Sequence, residues 1–238
     1  MSVSLLVGTD RIGLAGDLGN VSTHRHATAA VVVGLDGPLR YVAPYDGREH
    51  ESRAALLAPG FAHAVDVRGG RMAVFLLPPG AVAASALHRS VTDLDEGEWV
   101  ELGEQLGPDF EHVDRALARV RARARPIDDR LAKATGILAD RLLENVPAEE
   151  LAAAVGLSTS RLMTFAREQL GTSLRVYRRW LRTFRVARDY ASGASLTRAA
   201  IDAGFSSSAH LSAAAREHFG VAPSQILSPE NRSRIIVL

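Results

Sequence analysis

The sequence predicts an α+β chain: an N-terminal β-barrel or sandwich, linking helices, and a C-terminal all-α domain with two helix-turn-helix units. Three observations predict it. Short apolar runs punctuated by Gly and Pro fill residues 1–80. From about residue 81 the apolar residues recur at helical spacing. Residues 150–170 and 197–219 then share one plan: an Ala-rich helix, a turn glycine, and a second helix begun by Ser and ended by Gly. The turn glycines, Gly156 and Gly204, stand 48 positions apart.

The β region comes first. Apolar runs of strand length lie at 4–7, 29–33, 39–43, 54–57, 62–67 and 72–77. Between them stand turn signals: Asp36-Gly37-Pro38, Asp46-Gly47, Pro59-Gly60, Gly69-Gly70 and Pro78-Pro79-Gly80. Few runs alternate cleanly, so periodicity alone leaves the register open.

Next come the linking helices, over about 81–125. Trp99, Leu102 and Leu106 sit at i, i+3 and i+7, and Val113, Leu117, Val120 and Ala124 repeat in a heptad-like seam. Pro126 breaks that helix. The seam suits a dimer contact and packing within the chain equally.

The all-α domain is expected over 126–227, with a short tail at 228–238. A helix over 127–143 puts Leu131, Ala134, Ile137, Leu138 and Leu142 on one face. Pro147 lies near the start of the next helix, where its missing N–H costs little. Residues 174–191 form one long helix. Leu174, Tyr177, Leu181 and Phe184 line its apolar stripe, surrounded by Arg175, Arg178, Arg179, Arg182, Arg185 and Arg188.

Charge divides along the same boundary. Residues 1–108 hold 8 Arg against 13 Asp/Glu, a net −5, and residues 109–238 hold 20 Arg/Lys against 14 Asp/Glu, a net +6. Only the second half is therefore expected to meet a polyanion. The chain has no cysteine, which excludes disulfides and thiolate metal sites and suits a reducing, cytoplasmic setting. No signal peptide or membrane span is expected. Neither a Ser/His/Asp arrangement nor a phosphate-binding Gly loop is visible, so no catalytic residues are assigned.

In each helix-turn-helix the Ala lets two helices approach, the Gly takes the turn's positive φ, and large apolar residues lock the second helix down. In the first unit Ala152, Gly156, Leu162 and Phe165 do this. That leaves Thr159, Ser160, Met163 and Thr164 on the other face, with Ser158 as N-cap. Two units on one chain can place two helices in successive major-groove segments on one DNA face.

Residues 127–227 resemble the DNA-binding domain of AraC/XylS-type transcription regulators. The resemblance rests on Leu151-Ala-Ala-Ala-Val-Gly-Leu-Ser158, Leu170-Gly-Thr-Ser173, Tyr177-Arg-Arg-Trp-Leu-Arg182, Gly193-Ala-Ser-Leu196, Ala203-Gly-Phe205, Ser208-Ala-His-Leu-Ser212 and Phe219-Gly-Val-Ala-Pro-Ser224. It implies base-reading positions at Ser160, Met163 and Thr164 in the first unit. In the second it implies Ser208, Ala209, His210, Ser212 and Ala213. With the caps Ser158 and Ser207, with Thr159, and with Arg178 and Arg182 as phosphate contacts, these form the expected DNA site. Two departures stand out: Ala213 replaces a contacting Arg, and Ala215 replaces a core Phe.

The N-terminal half resembles the cupin-like sensor domain of such regulators at His24-Arg-His26, Gly34-Leu-Asp-Gly-Pro38 and Pro59-Gly60-Phe-Ala-His63. In metal-binding cupins an His-x-His and a later His converge on a metal. Period two puts His24 and His26 on one face. The usual Glu is missing, since residues 27–33 hold no acid. Three imidazoles could still hold a metal, but the expectation is a metal-free domain without cofactor, in which His24, His26 and His63 line a small-ligand cavity.

The resulting expectation is a bacterial-type transcription regulator that binds double-stranded DNA and is not an enzyme. A small-molecule effector, RNA polymerase and a second copy of the chain are possible partners. Two alternatives stay open: a metal-dependent cupin enzyme, and an interaction adaptor that has lost DNA binding.

Overall fold

A computed structural model describes residues 3–8, 11–43, 47–78, 91–94, 96–104 and 127–238. Leu106, Pro126 and the expected seam at 113–124 lie outside the described residues.

Two sheets pack face to face. β1 (Val3–Val7), β2 (Ile12–Gly16), β4 (Ala30–Gly34), β7 (Ala54–Leu57), β9 (Met72–Leu76), β10 (Val91–Asp93) and β11 (Ile235–Val237) form one, in the order β10-β7-β4-β9-β2-β1-β11. β3 (Val21–Arg25), β5 (Leu39–Val42), β6 (Glu49–Ser52) and β8 (Ala62–Asp66) form the other, in the order β3-β8-β5-β6. Among the described residues no pairing joins the two sheets, which face each other as a sandwich.

The weak alternation has a physical cause. The larger sheet is covered on both faces. Val32, Val74 and Leu14 face the smaller sheet, while Val31, Phe75 and Leu56 face outward. There they meet Trp99 of helix α1 (Glu96–Glu104), whose ring lies 6.0 Å from that of Phe75. A strand buried on both faces needs apolar residues at every position.

The helical region comprises α2 (Asp129–Asp140), α3 (Ala148–Ala154), α4 (Thr159–Phe165), α5 (Leu174–Ala191), α6 (Leu196–Asp202), α7 (Ser208–Phe219) and a short α8 (Pro223–Ile226). α4 continues as a π-helical turn to Leu170. α5 is the central rod: Trp180, Tyr177, Phe184 and Leu181 are buried along it, and the smaller helices pack around that stripe.

Residues 228–238, expected as a tail, are built into the fold. A 3₁₀ turn over Pro229–Arg234 leads into β11, which pairs in parallel with β1, Leu5 opposite Ile235. The buried Asn231 accepts the Val3 amide (3.1 Å) and donates to the carbonyl of Ile226 (3.2 Å). An open edge at β1 leaves backbone groups that want partners, and the apolar Ile235-Ile-Val satisfies them. The expectation of helix from residue 81 also needs correction, because β10 at 91–93 extends the large sheet beyond β7.

Candidate nucleic-acid interface

Both units use the same local devices. Ser158 Oγ accepts the Arg161 amide (3.3 Å), and Ser207 Oγ accepts the His210 amide (3.1 Å), so each second helix starts with a capped end. Gly156 and Gly204 take φ of 66° and 82° at the turns, where a Cβ would be strained. Leu162, Phe165, Leu211 and Phe205 are buried in the core beneath these helices.

Between the units lies a groove of about 440 Å³. Arg175, Arg178, Arg179 and Arg182 of α5 line it, with Met163 of α4 and His210 of α7 at its sides. Arg175, Arg178 and Arg182 step at i, i+3 and i+7 and share a face. Among the described residues none of these three pairs with a carboxylate, whereas Arg179 meets Glu217 (2.5 Å) and Arg185 meets Asp189. Backbone carbonyls hold two of them instead: Arg178 Nε donates to Leu142 O (3.0 Å) and Arg182 Nη1 to Gly204 O (3.0 Å). Partial burial, then the charge of Arg178, lowers the Arg182 pKa. Such a groove presents fixed positive charge with little internal neutralisation, which suits a polyanion.

Of the expected contact residues, Met163, Arg178, Arg182 and His210 line this groove. Ser158, Ser160, Ser208 and His210 are exposed, and Thr159, Ser207 and Ser212 are half-buried. His210 Nδ1 lies 3.1 Å from Ser206 Oγ, which holds the ring at the start of α7. Met163 is half-buried against the core, and the Thr164 hydroxyl donates to Ser160 O (3.0 Å). Ala213 is exposed. Ala215 is buried and lines a cavity of about 50 Å³, together with Leu5, Ile12 and Leu14 of the β sandwich. The position expected to weaken the second unit thus faces the other domain.

Sequence reading did not reveal that the β sandwich grips the C-terminal ends of both second helices. Gly220 ends α7 with φ 70°. Its carbonyl accepts from the Ser22 amide (3.3 Å) and the Ser22 hydroxyl (2.6 Å). A Cβ there would meet Val21 Cγ1, Ser22 O (2.5 Å) and His24 Nδ1 (2.8 Å). Gly171 ends the first unit, and a Cβ on Gly60 would come within 2.5 Å of its carbonyl oxygen. The helix-ending glycines are legible in the sequence, but the surfaces pressed against them are not.

The three histidines singled out from the sequence meet beneath this contact. Ring centroids of His24, His26 and His63 lie 4.3–5.2 Å apart, and all three are buried. Burial, then the charge of His63, lowers the His24 pKa to about 3, and burial lowers that of His63 to about 4. Burial, then the charge of His24, holds His26 well below its usual value. The space beside them, capped by Phe219, Val221 and Ile226, is about 20 Å³. That is room for about one water molecule, so the expected small-ligand cavity is not formed there. Among the described residues no helix is long and apolar enough to cross a membrane.

Comparison with known proteins agrees with this architecture. Residues 151–228 match the family model of a helix-turn-helix domain. No curated protein matches the chain in sequence. Among solved structures, ToxT from Vibrio cholerae O395 superposes with a TM-score of 0.60 at 12% identity, covering 95% of each chain. The same protein bound to (E)-4-(8-methylnaphthalen-1-yl)but-3-enoic acid gives a TM-score of 0.62 at 11% identity, over 95% of this chain and 97% of that one. ToxT from strain SCE256 bound to an unsaturated fatty acid gives 0.58 at 12% identity, over 95% and 93%. At these identities the likeness establishes the fold. Residues 151–228 therefore carry a helix-turn-helix domain, in a chain that has the fold of ToxT.

Proposed function

We propose that this chain is a transcription regulator that binds double-stranded DNA by placing α4 and α7 in successive major-groove segments. The observation that carries the reading is the groove between the units, where Arg175, Arg178 and Arg182 pair with no carboxylate among the described residues. They would neutralise phosphates between the two helices. Ser158, Thr159, Ser160, Met163 and Thr164 on one side, and Ser207, Ser208, His210 and Ser212 on the other, would meet sugar, phosphate and base edges. The capped helix N-termini add backbone N–H groups suited to phosphate.

Control by the N-terminal domain is part of the proposal. ToxT has been solved with a fatty acid and with a naphthalene-bearing acid, which makes an effector plausible for the shared fold. In this chain control would act through the grip on Gly171 and Gly220, since the space at the histidines admits about one water.

The test is a salt titration of DNA binding by the full chain. Log affinity should fall linearly with log salt, at a slope of about −0.9 per phosphate neutralised. The Arg178→Ala/Arg182→Ala double variant should flatten that slope by about 1–2. Binding that ignores salt, or an unchanged slope in the variant, would remove the arginine groove from the interface.

A further inference from the structure

We infer that His24, His26 and His63 form a binding site for one divalent first-row transition metal, and that this site is linked to the second helices of both helix-turn-helix units. The linkage rests on the DNA-binding reading above; the metal site does not.

The argument starts from the hydrogen-bond inventory. His24 Nδ1 lies 2.9 Å from Ser22 O, His26 Nδ1 lies 2.9 Å from His218 O, and His63 Nδ1 lies 3.0 Å from Phe61 O. A carbonyl oxygen can only accept. Each Nδ1 must therefore carry the hydrogen, which leaves a bare lone pair on each Nε2 of the neutral ring. His24 Nε2 and His26 Nε2 face each other at 3.2 Å, and the buried His63 Nε2 has no partner. Two lone pairs in contact and a third orphaned beside them repel, unless a cation sits among them. Moving a hydrogen to either Nε2 only transfers the repulsion to its Nδ1 and the carbonyl.

The geometry fits a metal. One ligand atom from each histidine lies within 4.8 Å of the others. Two nitrogens at about 2.0–2.1 Å from a tetrahedral Zn²⁺ are about 3.3–3.4 Å apart, close to the His24–His26 spacing. Backbone carbonyls behind each Nδ1 are the outer partners that orient metal-binding imidazoles. Neutral imidazole donors favour Zn²⁺, Co²⁺, Ni²⁺ or Cu²⁺ over Mg²⁺ or Ca²⁺. Three donors also suffice for a site whose fourth position is taken by water. The missing acid after His26 therefore does not disqualify it.

The same segments touch both units. His26 Nδ1 meets the His218 carbonyl near the end of α7, and Ser22, whose carbonyl orients His24, binds the Gly220 carbonyl. Phe61, whose carbonyl orients His63, follows Gly60, which abuts Gly171 and donates its amide to His26 O (2.9 Å). A metal that draws the three rings together would tighten both the 22–26 and 60–63 segments. Metal affinity and DNA affinity should then depend on each other reciprocally.

The experiment uses the full chain, stripped with chelator and dialysed against Zn²⁺ or Co²⁺. One equivalent should bind, and Co²⁺ should give the visible absorption of a four-coordinate site. His63→Ala and His24→Gln should each weaken binding by at least about tenfold, while His50→Ala, at a half-buried histidine paired with Asp93, should not. Full-chain affinity for its DNA site should change by about fivefold or more between chelated and loaded protein. Failure of the folded wild-type chain to bind either ion near equimolar ratio overturns the site. Stoichiometric binding with unchanged DNA affinity overturns the linkage. If the chelated and the loaded chain both fail to bind DNA at low salt, the DNA-binding reading falls while the metal stoichiometry still decides the site.

Discussion

Gly220→Ala isolates the contact between the β sandwich and the second helix-turn-helix. Gly220 and Gly156 both adopt left-handed backbone, with φ of 70° and 66°. Alanine at either position costs about 1–2 kcal/mol for that conformation alone. At Gly156 a Cβ meets nothing within 4 Å, so the cost should stop there. At Gly220 the new methyl collides with Val21, Ser22 and His24. Overpacking of this kind adds about 1–3 kcal/mol. Relief by moving α7 away sacrifices the two Ser22 bonds to Gly220 O, each worth about 0.5–1.5 kcal/mol net. The expected loss is about 2–5 kcal/mol for Gly220→Ala against about 1–2 for Gly156→Ala. Urea unfolding of both full-length variants, followed by circular dichroism under one set of conditions, measures the difference. Equal destabilisation by the two substitutions would refute the claim that the domains are pressed together at Gly220.

Three further outcomes are expected. Met163→Ala/Thr164→Ala should flatten the preference for the cognate half-site, while Ser208→Ala/His210→Ala should weaken binding to all sequences more evenly; competition with scrambled DNA at fixed salt checks this, and the reverse pattern would swap the roles of the units. Ala215→Val should stabilise the chain by about 1 kcal/mol: two methyls entering the cavity of about 50 Å³ gain about 0.8 kcal/mol each, less about 0.5 for a β-branched residue in a helix. A lowered thermal midpoint would mean that the cavity cannot accept them. In chelated protein, His24, His26, His63 and His218 are held neutral by burial when folded, with Arg179 and Glu217 beside His218. The unfolded chain binds more protons below about pH 6.5, so stability is full above that value and falls toward pH 4. Carboxylates such as Asp128, lowered to about 2 by Arg130, lose their contribution only below about 3.8. A urea midpoint that stays flat from pH 7 to 5 would contradict the buried histidines.

Periodicity, caps and turn glycines were enough to read the helical domain from the sequence. Ser158 and Ser207 cap as their positions suggest, and Gly156 and Gly204 turn where they stand, because these are local backbone requirements met by local residues. The arginine row of α5 was legible for the same reason: residues three and four apart on a helix must share a face. The pairing of His24 with His26 followed from the strand repeat.

What only the tertiary structure decided are contacts between distant segments. The β-branched run Ile235-Ile-Val suits a strand, but nothing local names its partner, because β1 lies at the opposite end of the chain. Ala215 looks like a defect in its own helix until Leu5, Ile12 and Leu14 appear beside it. The strands at 30–34 and 72–76 hide their register because both faces are buried, which erases the alternation that would reveal it. The convergence of His63 on His24 and His26 depends on the antiparallel register of β3 against β8, where His24 lies opposite His63. That register is set by packing across the whole sandwich, which no short window of sequence contains.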